Sequence, residues 1–293
     1  EGLPMHSTHT IALPKRPPLQ LGQTARIMGI LNVTPDSFSD GGQHQLIEAA
    51  LAHARLMLAE GADIIDIGGE STRPGAELVG VQQELDRVMP VIDALIAEGI
   101  TAPISIDTYK PLVADQAIQA GACIINDVHG LRGAPEMASV AALYDVPVIA
   151  MHWDKARDPD TPLTDSMNRY FDATIGKAEQ AGLSGDRLIL DPGFGFSKSV
   201  AENYAILNNL RQACAGTARH RGAFAILVGT SRKSMIGKLL DVPADQRLAG
   251  TIASNVLGYI NGGHIFRVHD VRANRDALRV AEATLYGPPT ELG

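Results

Sequence analysis

The chain has 293 residues, 45% of them hydrophobic, and a formal net charge of −8 at pH 7. That length and apolar content can bury a large core without requiring a second domain. The negative balance argues against nonspecific binding to nucleic acid or anionic membranes, so any anion site must be local.

Two cysteines, Cys123 and Cys214, lie far apart in the sequence. They suggest neither a disulfide framework nor a thiolate metal site, and they fit a reducing cytoplasm. Packing is the expected role of both. Apolar runs such as Ile11 to Leu13 and Ala223 to Val228 are far too short to span a bilayer, and the N-terminus lacks the basic-then-apolar pattern of a secretory signal. Residues 1–19 read as an N-terminal extension, with Glu1 to Pro4 resembling a cloning remnant. Residues 20–287 read as a single domain and residues 288–293 as a tail, with no fused second domain expected.

From Ile27 onward one pattern recurs eight times: a short β-rich apolar run, a polar or glycine-rich turn, then a helical stretch. The expected strands are Ile27 to Leu31, Asp63 to Ile67, Ile104 to Ile106, Cys123 to Ile125, Pro147 to Ala150, Leu188 to Leu190, Ala225 to Val228 and Ile265 to Val268. Expected helices between them include Gln45 to Glu60, Val81 to Glu98, Pro111 to Ala120, Met167 to Ala181 and Gln246 to Asn261. Continuous Val/Ile-rich strands alternating with helices imply a parallel sheet covered by helices. Eight units in about 260 residues suit a closed (β/α)8 barrel, an α/β TIM barrel, better than an open doubly wound sheet.

A barrel predicts that functional groups gather where the strands end, and polar residues stand at all eight ends. In chain order these are Asn32 with the turn Thr34 to Gly42, Asp66 with the turn Gly68 to Gly75, Asp107, Asn126-Asp127, Met151-His152, Asp191 to Gly195, Ser231-Arg-Lys-Ser234, and Arg267-Val-His269-Asp270. The seventh is the most distinctive. A β-branched run breaks at Gly229 and brings Arg232 and Lys233 to the start of a helix, where unpaired amides favour an anion.

Asp107, Asn126, Asp191 and Lys233 together supply acceptors, an amide and an ammonium, which suits a flat heterocycle with ring donors and acceptors. Arg267, His269 and Arg73 supply cations for an anion such as a diphosphate. Asn32, Asp36 and Asp40 offer oxygens for Mg²⁺, although Asp36 and Asp40 read equally well as turn formers. His152 reads as a structural group and Trp153 as a lid over the barrel mouth.

In order and together, these blocks closely resemble the dihydropteroate synthase family. They are Asn32 to Gly42, Asp66 to Gly75, Ser105 to Asp107, Ile125 to Asp127, Asp191 to Phe196, Gly229 to Ser234 and Arg267 to Asp270, within a match over about residues 20–286. The resemblance implies an enzyme of folate biosynthesis, a sulfonamide target, that joins p-aminobenzoate to 6-hydroxymethyl-7,8-dihydropterin diphosphate with Mg²⁺, in a cytoplasmic homodimer. It implies that Asp107, Asn126, Asp191, Lys233 and Arg267 hold the pterin, and that Asn32, Arg73, Arg267 and His269 address the diphosphate. Asn32 would also meet the metal. Phe38, Thr72, Arg73, Pro74 and Ser234 would enclose p-aminobenzoate, and Asp107, Lys233, Arg267, Asp40 and Arg73 would act in catalysis. A methyltetrahydrofolate-corrinoid methyltransferase would share the barrel but has no use for the diphosphate and p-aminobenzoate blocks. A non-catalytic pterin-binding paralogue would be expected to lack Asn32, Arg73 or His269.

Overall fold

A computed structural model of the chain describes residues 6–34, 43–71, 75–216 and 224–290. Eight strands close into one barrel, each parallel to both neighbours: β3 (Arg26–Asn32), β4 (Ile64–Gly68), β5 (Ile104–Asp107), β6 (Ile124–Asp127), β7 (Val148–Met151), β8 (Leu188–Asp191), β9 (Ala225–Val228) and β10 (Ile265–Val268). Between them run helices α1 (Gln43–Ala59), α2 (Val81–Ala97), α3 (Pro111–Ala120), α4 (Glu136–Tyr144), α5 (Leu163–Gln180), α6 (Val200–Asn208), the short α7 (Leu210–Ala213), α8 (Ser234–Leu240) and α9 (Leu248–Ile260), with α10 (Val271–Tyr286) closing the ring. No described helix is long and apolar enough to cross a membrane.

The expected strands fall where the barrel strands lie, within a residue or two at each end. Three helices start differently, the first at Gln43 rather than Gln45. The fifth begins at Leu163 rather than Met167, directly after Pro162, which cannot itself donate to a helix. The expected Gln246–Asn261 helix divides into a short 3-10 turn, Ala244–Gln246, and α9.

Because side chains alternate along a strand, each barrel strand serves two cores. Outward residues such as Ile27, Ile65, Ile106, Ile125, Val148, Leu190, Ile226 and Phe266 pack beneath the helices. Inward residues Met28, Ile64, Ile124, Ile149, Ile189, Leu227 and Ile265 form a second apolar cluster inside the barrel.

That inner cluster is completed by residues that the sequence reading assigned to no element. β1 (His9–Leu13) and β2 (Arg16–Leu21) form an antiparallel hairpin, and its Ile11, Leu13, Leu19 and Leu21 join the inward residues, closing the barrel at the end where the strands begin. The boundary expected at residue 19 therefore falls inside a strand. Pro17 and Pro18 lie opposite the stretch where the hairpin register slips, between Ile11 and Leu13, as residues that cannot donate to the ladder require. Cys123 lies in this cluster and Cys214 in the outer one. Burial pushes the thiol pKa of both upward, consistent with packing roles.

Candidate active site

Alternate strands of a (β/α)8 barrel contribute side chains in tiers of four. Here β4, β6, β8 and β10 supply Ile64, Ile124, Ile189 and Ile265, all fully buried in the inner cluster. Two residues further along the same strands stand Asp66, Asn126, Asp191 and Arg267. The interior thus changes from an isoleucine tier to a polar one in a single step toward the strand ends, and the odd-numbered strand β5 adds Asp107 at its own end.

Arg267 organises this tier. Its Nε donates to Asp66 Oδ2 and its Nη2 to Asp107 Oδ2, both at 2.7 Å. Asn126 Nδ2 donates to the same Asp66 oxygen at 3.1 Å. Burial disfavours the charge on Arg267, but the carboxylates of Asp66 and Asp107 outweigh it and raise the guanidinium pKa. Burial pushes the Asp107 carboxyl up to about 7, with Arg267 pulling the other way and Asp66 adding to the rise. The Asp191 pKa is also raised by burial, opposed by the charge of Lys233.

The turn after β8 is built around a lysine. Lys198 Nζ donates to the carbonyls of His152, Gly193 and Phe196 at 3.3, 3.0 and 3.0 Å, while Asp191 Oδ1 accepts from the Gly193 amide at 2.7 Å. Gly193 has φ +71, and a Cβ there would lie 2.1 Å from the His152 carbonyl oxygen, so only glycine fits. The folded turn presents the Phe194 carbonyl to Lys233 Nζ at 2.6 Å and the Phe196 ring 4.9 Å from the same ammonium. Desolvation lowers the Lys233 amine to about 8 and Lys198 to about 7. Across the mouth, Ser231 Oγ and His269 Nδ1 share a hydrogen bond of 2.9 Å.

Inward carboxylates, an amide, an ammonium and the Arg267 guanidinium thus gather at one end of the barrel, with His269 just past the end of β10. The profile of the pterin binding enzymes matches residues 28–269. The dihydropteroate synthase of Escherichia coli K12 is 47% identical over 265 residues, 88% of this chain and 91% of that protein. The chain belongs to the dihydropteroate synthase family. The solved structure of that enzyme from Clostridium difficile, in the presence of pteroic acid, is 44% identical with a TM-score of 0.83, covering 94% of this chain and 99% of that one. The Xanthomonas albilineans enzyme with 4-aminobenzoic acid is also 44% identical, with a TM-score of 0.84 over 92% and 96% of the two chains.

Among the residues that dihydropteroate synthase blocks pointed to, the structure brings Asp107, Asn126, Asp191, Lys233, Arg267 and His269 to one end of the barrel. Asn32 ends β3, paired with Gly68 at the end of β4, and Ser234 is exposed as the first residue of α8. Phe38, Asp36, Asp40, Thr72, Arg73 and Pro74 lie outside the described residues. The pairing of Arg232 with Lys233 as joint anion ligands requires correction. Arg232 has φ +56 and spends its guanidinium on both oxygens of Asp270, at 3.0 and 2.6 Å, while Lys233 alone faces the well.

His152 departs from the satisfied structural group expected of it, because neither ring nitrogen has a hydrogen-bond partner among the described residues. It is buried against Tyr170 and Phe171 and driven down to about 3 by desolvation. Trp153 joins a rim of rings, 5.4 Å from His129 and 5.0 Å from Phe196 between centroids. Sequence reasoning missed Lys198 and the buried group at the base of the second turn, where Lys110 is ion-paired with both Glu70 and Glu84. It also gave Asp66 no role, although its place two residues after Ile64 repeats the spacing of the other three tier members.

Proposed function

We propose that the chain joins p-aminobenzoate to 6-hydroxymethyl-7,8-dihydropterin diphosphate, forming 7,8-dihydropteroate and pyrophosphate, in a cytoplasmic homodimer that is a sulfonamide target. The observation that carries this reading is the polar tier. Asn126, Asp191 and Arg267, with Asp107 and Lys233 beside them, offer acceptors and donors suited to one flat ligand at the end of the barrel. Exposed Leu239, Leu240, Leu248 and Leu257 on α8 and α9 supply apolar surface for a subunit contact.

In the reaction the C–O bond of the pterin methylene breaks and its electron pair leaves with the diphosphate. The cation left on the methylene is delocalised into the electron-rich dihydropterin. The arylamine lone pair of p-aminobenzoate then forms the new C–N bond, and the nitrogen loses a proton. That amine is neutral at pH 7 and already nucleophilic, so no strong general base is required. Asp107, held by Arg267, stabilises positive charge on the ring, and Lys233 orients the pterin edge from the Phe194 carbonyl. Arg267 and His269, joined by Arg73, meet the departing diphosphate with charges fixed in advance. Phe38, Thr72, Pro74 and Ser234 enclose p-aminobenzoate, and Asp40 adds negative charge near the developing cation.

Among the described residues no group of three or more His, Cys, Asp or Glu gathers to hold a metal. Mg²⁺ bound chiefly through substrate phosphates needs only one or two protein oxygens, and the amide oxygen of Asn32 is a donor of that kind, so the residues fit. When bound, Mg²⁺ would neutralise charge on the leaving diphosphate.

The deciding experiment measures pyrophosphate release from the pterin diphosphate with and without p-aminobenzoate. The proposal expects release that needs p-aminobenzoate, stops with a chelator and is competed by a sulfonamide. Pterin binding without release would overturn it in favour of a paralogue or a methyltransferase.

A further inference from the structure

We propose that Asp66 is a positioning residue that sets Arg267 and Asn126 for the pterin from below, an inference that rests on the pterin reading above. Three members of the polar tier, Asn126, Asp191 and Arg267, have roles in that reading, and Asp66 is the fourth. It stands on β4, two strands from Asn126 on β6 and two from Arg267 on β10. A single oxygen, Oδ2, accepts from both: Arg267 Nε at 2.7 Å and Asn126 Nδ2 at 3.1 Å.

The way this carboxylate is used argues for a positioning task. Asp66 is 0% exposed, and its Oδ1 has no hydrogen-bond partner among the described residues; neither has the hydroxyl of Ser105, its register partner on β5. A buried charge that leaves half its acceptor capacity unused costs stability. An apolar residue would fill the space more cheaply, as Ile64 does one tier below. What Asp66 supplies instead is direction. By fixing Nε it leaves the Nη2 side of the guanidinium to Asp107, and by taking one Asn126 N–H it fixes which way that amide faces. Its charge also adds to the negative field felt by Asp107.

The test compares the wild-type enzyme with Asp66→Asn and Asp66→Glu. Pterin affinity is measured by calorimetry, KM for p-aminobenzoate by steady-state kinetics, and the acid limb of kcat/KM by pH titration. Asp66→Asn is expected to weaken pterin binding about tenfold to a hundredfold, to leave KM for p-aminobenzoate within about twofold, and to move the acid limb to lower pH because Asp107 loses a negative neighbour. Asp66→Glu should restore part of the affinity. A residue that merely packs the barrel would lower Tm without moving the acid limb. If wild-type enzyme forms dihydropteroate and folded Asp66→Asn keeps both its pterin affinity and its acid limb, this inference fails while the functional reading stands. If the wild type forms none, the reading itself fails.

Should Asp66→Asn not fold, the Arg267 Nε–H signal of the wild-type enzyme, assigned through its loss in Arg267→Lys, decides. A signal protected from exchange and unchanged through the Asp107 titration supports the assignment, and a freely exchanging one overturns it.

Discussion

Arg232 and Lys233 are adjacent in the chain and do opposite work. Arg232, in the left-handed region at φ +56, closes a two-pronged ion pair with Asp270, while Lys233 extends to the Phe194 carbonyl beside Asp191. The first fixes the turn after β9 to the turn after β10, so the second arrives at the well from an anchored backbone.

That division predicts a difference between two truncations. Arg232→Ala loses the ion pair and keeps the backbone strain, whereas Arg232→Gly loses the pair and relieves the strain. Glycine should therefore be the more stable variant by about 1 kcal/mol. Chemical denaturation of both proteins checks it, and equal stabilities would refute the strain argument.

Asp107→Ala and Lys233→Ala should each weaken pterin binding by about tenfold or more, the worth of a hydrogen bond involving a charged group. Arg73→Ala should depress turnover with pterin affinity nearly kept. Calorimetry with a pterin ligand separates the cases, and unchanged affinity in both of the first two variants would remove the pterin assignment.

The pH profile of kcat/KM should be bell-shaped and narrow. Asp107, raised to about 7, must be ionised to accept from the pterin, so activity falls as pH drops below about 7. Lys233, lowered to about 8, must be charged, so activity falls as pH rises past about 8. The limbs report the coupled site rather than either residue alone. A profile flat from pH 6 to 9 would contradict both assignments.

Much of this could be read from the chain because both faces of every barrel strand are buried, which leaves continuous β-branched runs with a polar residue at each end. Asn126, Asp191 and Arg267 were recognisable as the polar stops of such runs. What escaped depends on partners far away in sequence. Lys198 is an ordinary surface-looking lysine until the turn of residues 191–196 folds round it. Glu70, Glu84 and Lys110 come from three separate segments. The hairpin did carry period-two alternation at Ile11, Leu13, Leu19 and Leu21, but Pro17 and Pro18 interrupt it with residues that speak against a strand.

The Glu70–Lys110–Glu84 group allows a stability test. The Lys110, Glu70 and Glu84 side chains are only 11%, 7% and 1% exposed, and Glu70 also accepts from Tyr109 Oη at 3.1 Å and the Val79 amide at 3.4 Å. Lys110→Met leaves two buried carboxylates without their counter-ion and should cost about 3–5 kcal/mol. Adding Glu84→Gln should recover part of that loss, as read by urea denaturation. No recovery would mean that Lys110 acts through packing alone.

Two histidines should make the fold acid-sensitive. Burial lowers both His152 and His264 from 6.5 to about 3. His264 is held neutral because its Nδ1 accepts from the Ile226 amide at 3.2 Å, leaving Nε2 to donate to the Ser7 carbonyl at 3.0 Å. The unfolded chain takes up protons as pH falls through 6.5 and the folded one does not. Stability is therefore full above pH 6.5 and is lost between 6.5 and 3, by on the order of 1.4 kcal/mol per pH unit for each residue. The fall in Tm from pH 7 to 5 should be smaller in His264→Gln than in the wild type, and an identical fall would exclude this contribution.

The hairpin beneath the isoleucine tier makes the barrel a blind well. With that end stoppered by Ile11, Leu13, Leu19 and Leu21, everything that reaches the polar tier must pass the rim where Ser234 stands, and must return the same way. On the proposed reading, the ligand held by Asp107, Asn126 and Asp191 would enter before any seated nearer the rim, and the joined product would leave by the same doorway, so traffic through it would set the sequence of events as firmly as the chemistry does.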